Sequence, residues 1–148
     1  MIRFRDARRD DVAAVIALLA DDRLGVGRET PDDLAPYLAA FDELAGDPNN
    51  TLVVGEEGGD VVACYQITVI PGVTLGAARR AQIEGVRVAR SLRGQGGGRA
   101  LIADAEARAR ACGATLLQLT MNRDRHDSAK FYAAMGFDPS HIGYKKRL

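Results

Sequence analysis

A run of glycines between a predicted strand and a predicted helix is the feature of this sequence with the clearest chemistry. Four of the five residues from Gly94 to Gly98 are glycine. The first backbone N–H groups of a helix lack partners and carry partial positive charge, so they attract anions. Glycines let the backbone approach a bulky anion, and a phosphate or pyrophosphate suits this arrangement. Arg93 and Arg99 flank the loop and add positive charge.

Two common phosphate-binding motifs do not fit this loop. The chain has no Gly-Lys pair, which excludes a P-loop. The dinucleotide fingerprint, counted from Gly94 and Gly96, requires a glycine where Arg99 stands. The spacing Arg93-x-x-Gly96-x-Gly98 instead resembles the Q/R-x-x-G-x-G/A motif of the GNAT superfamily of N-acetyltransferases. The alternative is a glycine-rich turn that binds no ligand.

A second stretch strengthens this resemblance. The segment Phe131-Tyr132-Ala133-Ala134-Met135-Gly136-Phe137 is similar to the F-Y-x-x-x-G-F segment of the same superfamily. The resemblance therefore covers most of the chain and implies acetyl-CoA as co-substrate, with its pyrophosphate on the glycine loop. No residues have the spacing of a metal site, so we expect no metal. The residues expected to hold the co-substrate are Val86, Val88, Arg93, Gly94, Gln95, Gly96, Gly97, Gly98 and Arg99.

Amide formation requires a proton acceptor and benefits from a proton donor. An alkyl amine with a pKa near ~10.4 must lose a proton before it attacks a thioester. The resemblance implies that the base is Glu84, on the strand before the loop, and that Tyr132 protonates the departing thiolate. Burial beside the strand would raise the pKa of such a base. The alternatives are a solvent-facing Glu84 and a Tyr132 that packs in the core.

Backbone features near the loop complete the expected site. A strand N–H near Val86 or Val88 is expected to stabilise the charge that develops on the carbonyl oxygen. Gly85 marks a bulge that would open the strand pair for the acetyl group. Gly97 stands where the superfamily usually has an aliphatic residue, which loosens the helix start. Arg125 replaces an asparagine of many members and is either a phosphate contact or a surface residue.

The elements that must position these residues are predicted from periodicity and turn signals. Strands are expected at Ile2–Arg5, Thr51–Glu56, Asp60–Ile70, Ala81–Val88, Ala114–Met121 and Ile142–Leu148. Helices are expected to begin at Asp10 or Asp11, at Thr30, at Arg99, and at Asp127 or Ser128. This order predicts an α/β fold with a central, mostly antiparallel mixed sheet flanked by helices, in one domain over residues 1–148. The GNAT-like acyl-CoA N-acyltransferase fold has the same order.

Charge is distributed unevenly over a chain of 148 residues whose net charge is zero. Residues 1–60 carry fourteen acidic and six basic side chains, and residues 61–148 carry six and fourteen. These charges either simply solvate the surface, or match a polyanionic cofactor and a cationic substrate. The resemblance places the first two helices beside the acceptor, where Asp21, Asp22 and Asp32 could attract an amine.

The sequence also indicates the compartment of the protein and the kinds of partner that it lacks. No apolar run reaches the length of a membrane span, and the N-terminus does not resemble a signal peptide. Cys64 and Cys112 lack metal or redox spacing and are predicted to be buried free thiols. We therefore expect a cytoplasmic protein that has neither a nucleic-acid nor a membrane partner.

These observations predict an acetyl-CoA-dependent N-acetyltransferase. The acetyl group is expected to pass to a primary amine of a small molecule or peptide by direct attack in a ternary complex. The alternatives are a catalytically silent CoA-binding regulatory or interaction module on the same fold, and an acyltransferase that uses a longer acyl-CoA. The superfamily often dimerises, so a homodimer is considered, although no stretch of the sequence marks an interface.

Overall fold

A mixed five-stranded sheet forms the centre of the computed structural model, which describes residues 1–21 and 27–148. In this part of the chain the strand order is β1-β2-β3-β4-β5; neighbours are antiparallel except β4 and β5, which are parallel. The strands are β1 (Arg3–Asp6), β2 (Asn50–Glu57), β3 (Asp60–Ile70), β4 (Arg80–Val88) and β5 (Leu116–Leu119). The predicted fold class is confirmed.

Helices lie on both faces of this sheet. They are α1 (Val12–Ala20), α2 (Ala35–Gly46), the four-residue α3 (Thr74–Ala77), α4 (Gly97–Ala111) and α5 (His126–Ala134). On one face α4 buries apolar side chains at helical spacing, together with alternate residues of the strands. The helical residues of this cluster are Leu101, Ile102, Ala105 and Ala109. On the other face Val15 of α1 packs against Val54 and Cys64.

The second helix begins later than expected. Thr30 does not cap it; Asp33 N–H donates to Thr30 O at 3.0 Å in a separate turn, and α2 starts at Ala35. Pro36 explains the difference, because a proline inside a helix lacks the N–H donor and clashes with the preceding turn. Proline is tolerated in the first helical turn, where Pro36 lies.

The predicted C-terminal strand is wrong. Residues 138–148 belong to no helix or strand, and the side chains of Ile142 and Tyr144 are 81% and 91% exposed. Their alternation with polar residues produces an apolar face, but a strand also requires a backbone partner and a core surface to cover that face. Cys112 is a further correction, because its thiol is exposed at the C-terminal end of α4 while only Cys64 is buried.

Candidate functional site

The glycine loop leaves open space in front of its backbone. It follows a short 3₁₀ turn at Arg90–Leu92, and α4 begins at Gly97. Gly94 and Gly96 have positive φ angles of 73° and 88°, and a Cβ built on either would meet nothing within 4 Å. An L side chain there would be strained but would not clash, so these two positions border a free surface.

Gly97 has a different role. It is buried, and a Cβ at this position would lie 2.9 Å from Val88 Cγ1 and 3.3 Å from Leu92 O. The aliphatic residue that the superfamily usually has at this position would fit only if the Val88 side chain and the Leu92 carbonyl shifted. Gly97 therefore allows the start of α4 to pack closely against the end of β4.

The N-terminus of α4 has the electrostatics of an anion site. Among the described residues no side chain caps it, and its first helical hydrogen bond runs from Ala100 N–H to Gly96 O at 3.0 Å. The earlier N–H groups of the helix have no acceptor within it and concentrate the positive end of the peptide dipoles. Arg93 and Arg99 are both exposed beside this end, and Arg93 Nε donates to Val88 O at 3.3 Å.

Two contacts hold the loop in place. Gln95 Nε2 donates to Ser91 O at 2.6 Å, which closes the loop on itself. Arg90 forms an ion pair with Asp21 at 2.9 Å and so joins the start of the loop to the end of α1. Asp21 was one of three acidic residues expected to attract an amine, and it is engaged by this arginine. Of the other two, Asp32 is exposed and Asp22 lies outside the described residues.

The predicted bulge in β4 is confirmed by the strand register. Gln66 of β3 lies opposite Glu84, but Cys64 lies opposite Arg87, so β4 has one residue more than β3 in this interval. Gly85 adopts a φ angle of 60° at this point, and its carbonyl accepts a hydrogen bond from Cys64 Sγ at 3.6 Å. The extra residue changes which later side chains of β4 face each side of the sheet.

Beyond the bulge, β4 and β5 separate. Their parallel pairing joins Arg80–Ile83 to Leu116–Leu119 and ends there, whereas β4 continues to Val88. The side chains of Val86 and Val88 pack against the α4-side core, so only their backbone groups are available to a ligand. The structure thus places these predicted residues along a gap between strands, next to the glycine loop.

Tyr132 is carried to this region by α5. Its ring makes edge contacts with Phe131 and Phe137 at centroid distances of 5.2 and 5.6 Å. A Cβ built on Gly98 would lie 3.1 Å from the Phe131 ring, so α5 packs directly on the first turn of α4. Burial raises the pKa of the Tyr132 phenol, and the positive charges of Arg87 and Arg125 oppose this rise.

The expected burial of Glu84 is wrong. Its side chain is exposed, although it lies beside the bulge as predicted. Residues opposite each other on paired strands share a face, so Glu84 lies on the same side of the sheet as Gln66, away from the α4-side core. Its location is therefore compatible with solvent access.

A cavity of about 260 Å³ opens on this same side, between α2 and the strands. It is lined by Ala40, Glu43, Leu44, Asp47, Asn50 and Gln66. Hydrogen bonds from Asn49 N–H and the Asn50 amide lower the pKa of Asp47, which favours its charged form. Sequence reasoning missed Glu43 and Asp47, because nothing in their local pattern distinguishes them from solvated helix-end residues.

No group of three or more metal-ligating side chains occurs in residues 1–21 and 27–148. Among the helices in these ranges, none is long and apolar enough to span a membrane.

Comparisons with known proteins agree with this architecture. The model described as the acetyltransferase (GNAT) family matches residues 12–137. The crystal structure of a transcriptional regulator from Bacillus halodurans C-125 matches with a TM-score of 0.95 and 38% identity, covering 100% of both chains. The comparison with curated protein sequences gives no match.

Two acetyltransferase structures share the fold at lower identity. Glucosamine-6-phosphate N-acetyltransferase from Arabidopsis thaliana has a TM-score of 0.80 at 19% identity. The match covers 100% of this chain and 99% of that protein's chain. An aminoglycoside N-acetyltransferase in complex with CoA has a TM-score of 0.80 at 18% identity. The match covers 100% of this chain and 96% of that protein's chain.

Proposed function

The chain belongs to the GNAT family of acetyltransferases, and we propose that it transfers an acetyl group from acetyl-CoA to a primary amine. Acetyl-CoA is the acetyl donor of this family. The observation that carries the proposal is the N-terminus of α4, which no described side chain caps and which opens beside the gap between β4 and β5. Direct attack in a ternary complex fits this arrangement, because the gap gives the amine and the thioester access to one another.

The residues of the loop fit a pyrophosphate. The space in front of Gly94 and Gly96 is open, the first turn of α4 begins directly after these glycines, and no acidic side chain caps the helix among the described residues. Arg93 and Arg99 would add charge-assisted hydrogen bonds to phosphate oxygens. When bound, acetyl-CoA supplies the thioester carbonyl that the amine attacks.

Residues on both sides of the gap would supply the remaining catalytic groups. The backbone N–H of Val86 or Val88 would donate to the carbonyl oxygen as it gains negative charge. Tyr132 would donate its phenol proton to the departing sulfur, and its position on α5 beside the loop supports this role. Glu84 would accept the proton of the amine through a water molecule, as its exposure requires.

The acceptor is proposed to approach from the α2 side of the sheet. Gln66 lines the cavity there and lies directly opposite Glu84, so a bound amine would be close to the proposed base. Glu43 and Asp47 give this cavity a negative character suited to a protonated amine. The proposed acceptor is an amine of either a small molecule or a peptide.

Calorimetric titration with acetyl-CoA and CoA tests the cofactor site. We expect saturable binding that weakens on the order of 100-fold in Gly96→Asp, because the new carboxylate would meet the pyrophosphate. Gly113→Asp is the matched control, since Gly113 also has a positive φ angle and lies beyond the opposite end of α4, a helix about 22 Å long. Equal loss in both variants, or no loss in Gly96→Asp, would contradict the proposed loop contact.

A second candidate function is a catalytically silent CoA-binding module with a regulatory role. The observation that favours it is the Bacillus halodurans protein, which is described as a transcriptional regulator and matches over its whole length. A thiol-release assay with acetyl-CoA and a panel of amines separates the two functions. Turnover that falls in Glu84→Gln and Tyr132→Phe while CoA still binds supports the enzyme; tight CoA binding without turnover on any amine supports the regulatory module.

A further inference from the structure

The sheet face on the α2 side changes character along its strands. Where β2 and β3 pass under α1 this face is apolar, with Val54 and Cys64 in the core cluster there. Nearer the other end of the same strands, one polar side chain from each of four strands lies opposite the next. This polar row consists of Asn50, Thr68, Gln82 and Gln118, all half-buried. Half-buried amides require hydrogen-bond partners, so the atoms that lack one identify where a ligand would bind.

One chain of hydrogen bonds enters this face from the end of α2. Asn50 Nδ2 donates to Asp47 Oδ2 at 2.8 Å. Asn50 Oδ1 accepts from Thr68 Oγ1 at 2.6 Å and from Gln66 Nε2 at 3.1 Å. The Gln66 amide is therefore held by its nitrogen from the β2 side. Among the described residues no donor bonds to its other arm, so Gln66 Oε1 is left as a hydrogen-bond acceptor.

A second chain enters from the β5 edge of the sheet. Arg80 Nη1 donates to Gln118 Oε1 at 3.4 Å, and Gln118 Nε2 donates to Gln82 Oε1 at 2.8 Å. The Gln82 amide is therefore held by its oxygen from the β5 side. Within the part of the chain that the structure describes, no acceptor bonds to Gln82 Nε2, which is left as a donor. The two chains thus leave one acceptor and one donor.

These two unused amide arms belong to the neighbours of Glu84. Gln66 lies directly opposite Glu84, and Gln82 is the preceding residue of β4 on the same face. Opposite residues on paired strands have Cβ atoms about 5 Å apart, and residues two apart on one strand lie about 7 Å apart. A small ligand beside the Glu84 carboxylate would therefore have a carbonyl oxygen and an amide N–H within reach.

We propose that Gln66 and Gln82 are specificity-determining residues, which select an amine with an oxygen atom on the adjacent carbon. This inference rests on the proposed transferase function and defines its acceptor. The amine would donate to Gln66 Oε1 beside Glu84, and the oxygen would accept from Gln82 Nε2. A carbonyl oxygen, as in a peptide amine, and a hydroxyl oxygen, as in an amino alcohol, share this chemistry. An alkylamine that lacks the oxygen would leave the Gln82 N–H without this partner.

Steady-state kinetics with three small amines test the contact to Gln82. Glycinamide carries the carbonyl oxygen, ethanolamine carries the hydroxyl oxygen and ethylamine carries neither. Gln82→Met keeps a similar side-chain length but removes the donor. We expect it to lower kcat/KM about 10-fold for an oxygen-bearing amine and to leave ethylamine unchanged. The pKa of each free amine is the same with either enzyme, so the altered preference reports the contact. An equal change for all three amines would overturn the inference.

Two matched variants separate the roles of the glutamines. Gln66→Met should lower kcat/KM by a similar factor for all three amines, because they share the nitrogen that Gln66 would bind. Gln118→Met, which releases the Gln82 oxygen, should reproduce part of the Gln82→Met effect. A fall for glycinamide alone identifies a carbonyl-bearing acceptor, and a fall for ethanolamine alone identifies an amino alcohol. A preference that changes in Gln66→Met but not in Gln82→Met would contradict the assignment.

An NMR titration tests the same contact without turnover. The side-chain amide signals of the ¹⁵N-labelled protein are followed with CoA present while each amine is added, and Gln82→Met identifies the Gln82 signal. We expect this signal to shift with glycinamide or ethanolamine and much less with ethylamine. The same shift with all three amines, or none with any, would overturn the inference. If no amine is acetylated, the proposed function fails, and this titration still decides whether Gln82 binds the oxygen.

Discussion

The two halves of β4 belong to one strand but have different surroundings. From Arg80 to Ile83 the strand is paired on both sides, with β3 and β5, and Ala81 and Ile83 are 0% and 1% exposed. From Glu84 to Val88 it is paired with β3 alone, and no residue is fully buried. The bulge at Gly85 separates the two halves.

The two halves of this nine-residue strand therefore serve different purposes, the first for stability and the second for chemistry. A strand that pairs on both sides has no backbone donor or acceptor left for a ligand, and its buried side chains contribute to the core. The half beyond the bulge keeps one row of backbone groups unpaired by β5 and presents charged side chains at the gap. Substitutions in the first half should therefore affect folding most, and those in or beside the second half should affect catalysis most.

The largest expected effect concerns the doubly paired half. Ile83→Ala should lower the free energy of unfolding by about 3 kcal/mol, because it leaves a cavity in a closed part of the core. Val86→Ala, in the open half where the side chain is only partly buried, should cost about 1 kcal/mol. Denaturant unfolding measures both. Equal losses would mean that the two halves contribute equally to stability.

The next effect concerns the open half and its partner on α5. Tyr132→Phe should lower kcat about 100-fold, as expected when a general acid is removed, with CoA affinity unchanged. Tyr144→Phe is the control, because Tyr144 is almost fully exposed in the C-terminal segment. Steady-state kinetics and calorimetry make the comparison. A Tyr132→Phe variant with full kcat would leave the phenol with a packing role only.

The smallest expected effect concerns the bulge itself. Gly85→Ala should cost about 1 kcal/mol of stability, because an L residue is strained at a φ angle of 60° although space is available. Gly113→Ala introduces the same strain with similar space at the end of α4. Thermal unfolding should show similar losses for both, whereas only Gly85→Ala should reduce kcat, because it favours a regular strand and would move the Val86 backbone at the strand gap. Full activity in Gly85→Ala would show that the bulge survives or is not needed.

Much of the fold was predictable because local patterns and tertiary contacts agree. The apolar positions of α4, the limits of β3 and the strand–loop–helix order around Gly94–Gly98 follow from periodicity and from glycine placement. The Phe131–Phe137 segment was predictable as a motif, and its packing on Gly98 explains why the two motifs occur together. Gly85 was a usable signal for the bulge.

The errors occur where a local pattern competes with a longer-range requirement. Thr30 and Pro31 have the types of a helix start, but Pro36 cannot lie inside a helix and so delays α2. Ile142 and Tyr144 alternate as in a strand, yet no core surface covers them. Glu84 was expected to be buried because it lies on the strand before the loop, but the sheet face on which it lies is open at that point.

The sequence by itself determined the elements and the motif residues, because helix and strand periods and glycine backbone freedom act over a few neighbouring residues. Only the tertiary structure decided which charges meet. Arg87 carries no motif, and its face depends on a one-residue shift between β3 and β4 that no local period encodes. The exposure of Glu84 and the setting of Tyr132 likewise depend on where β5 ends and on how α5 packs against α4. These are contacts between residues far apart in the chain, and their geometry exists only once the sheet has assembled.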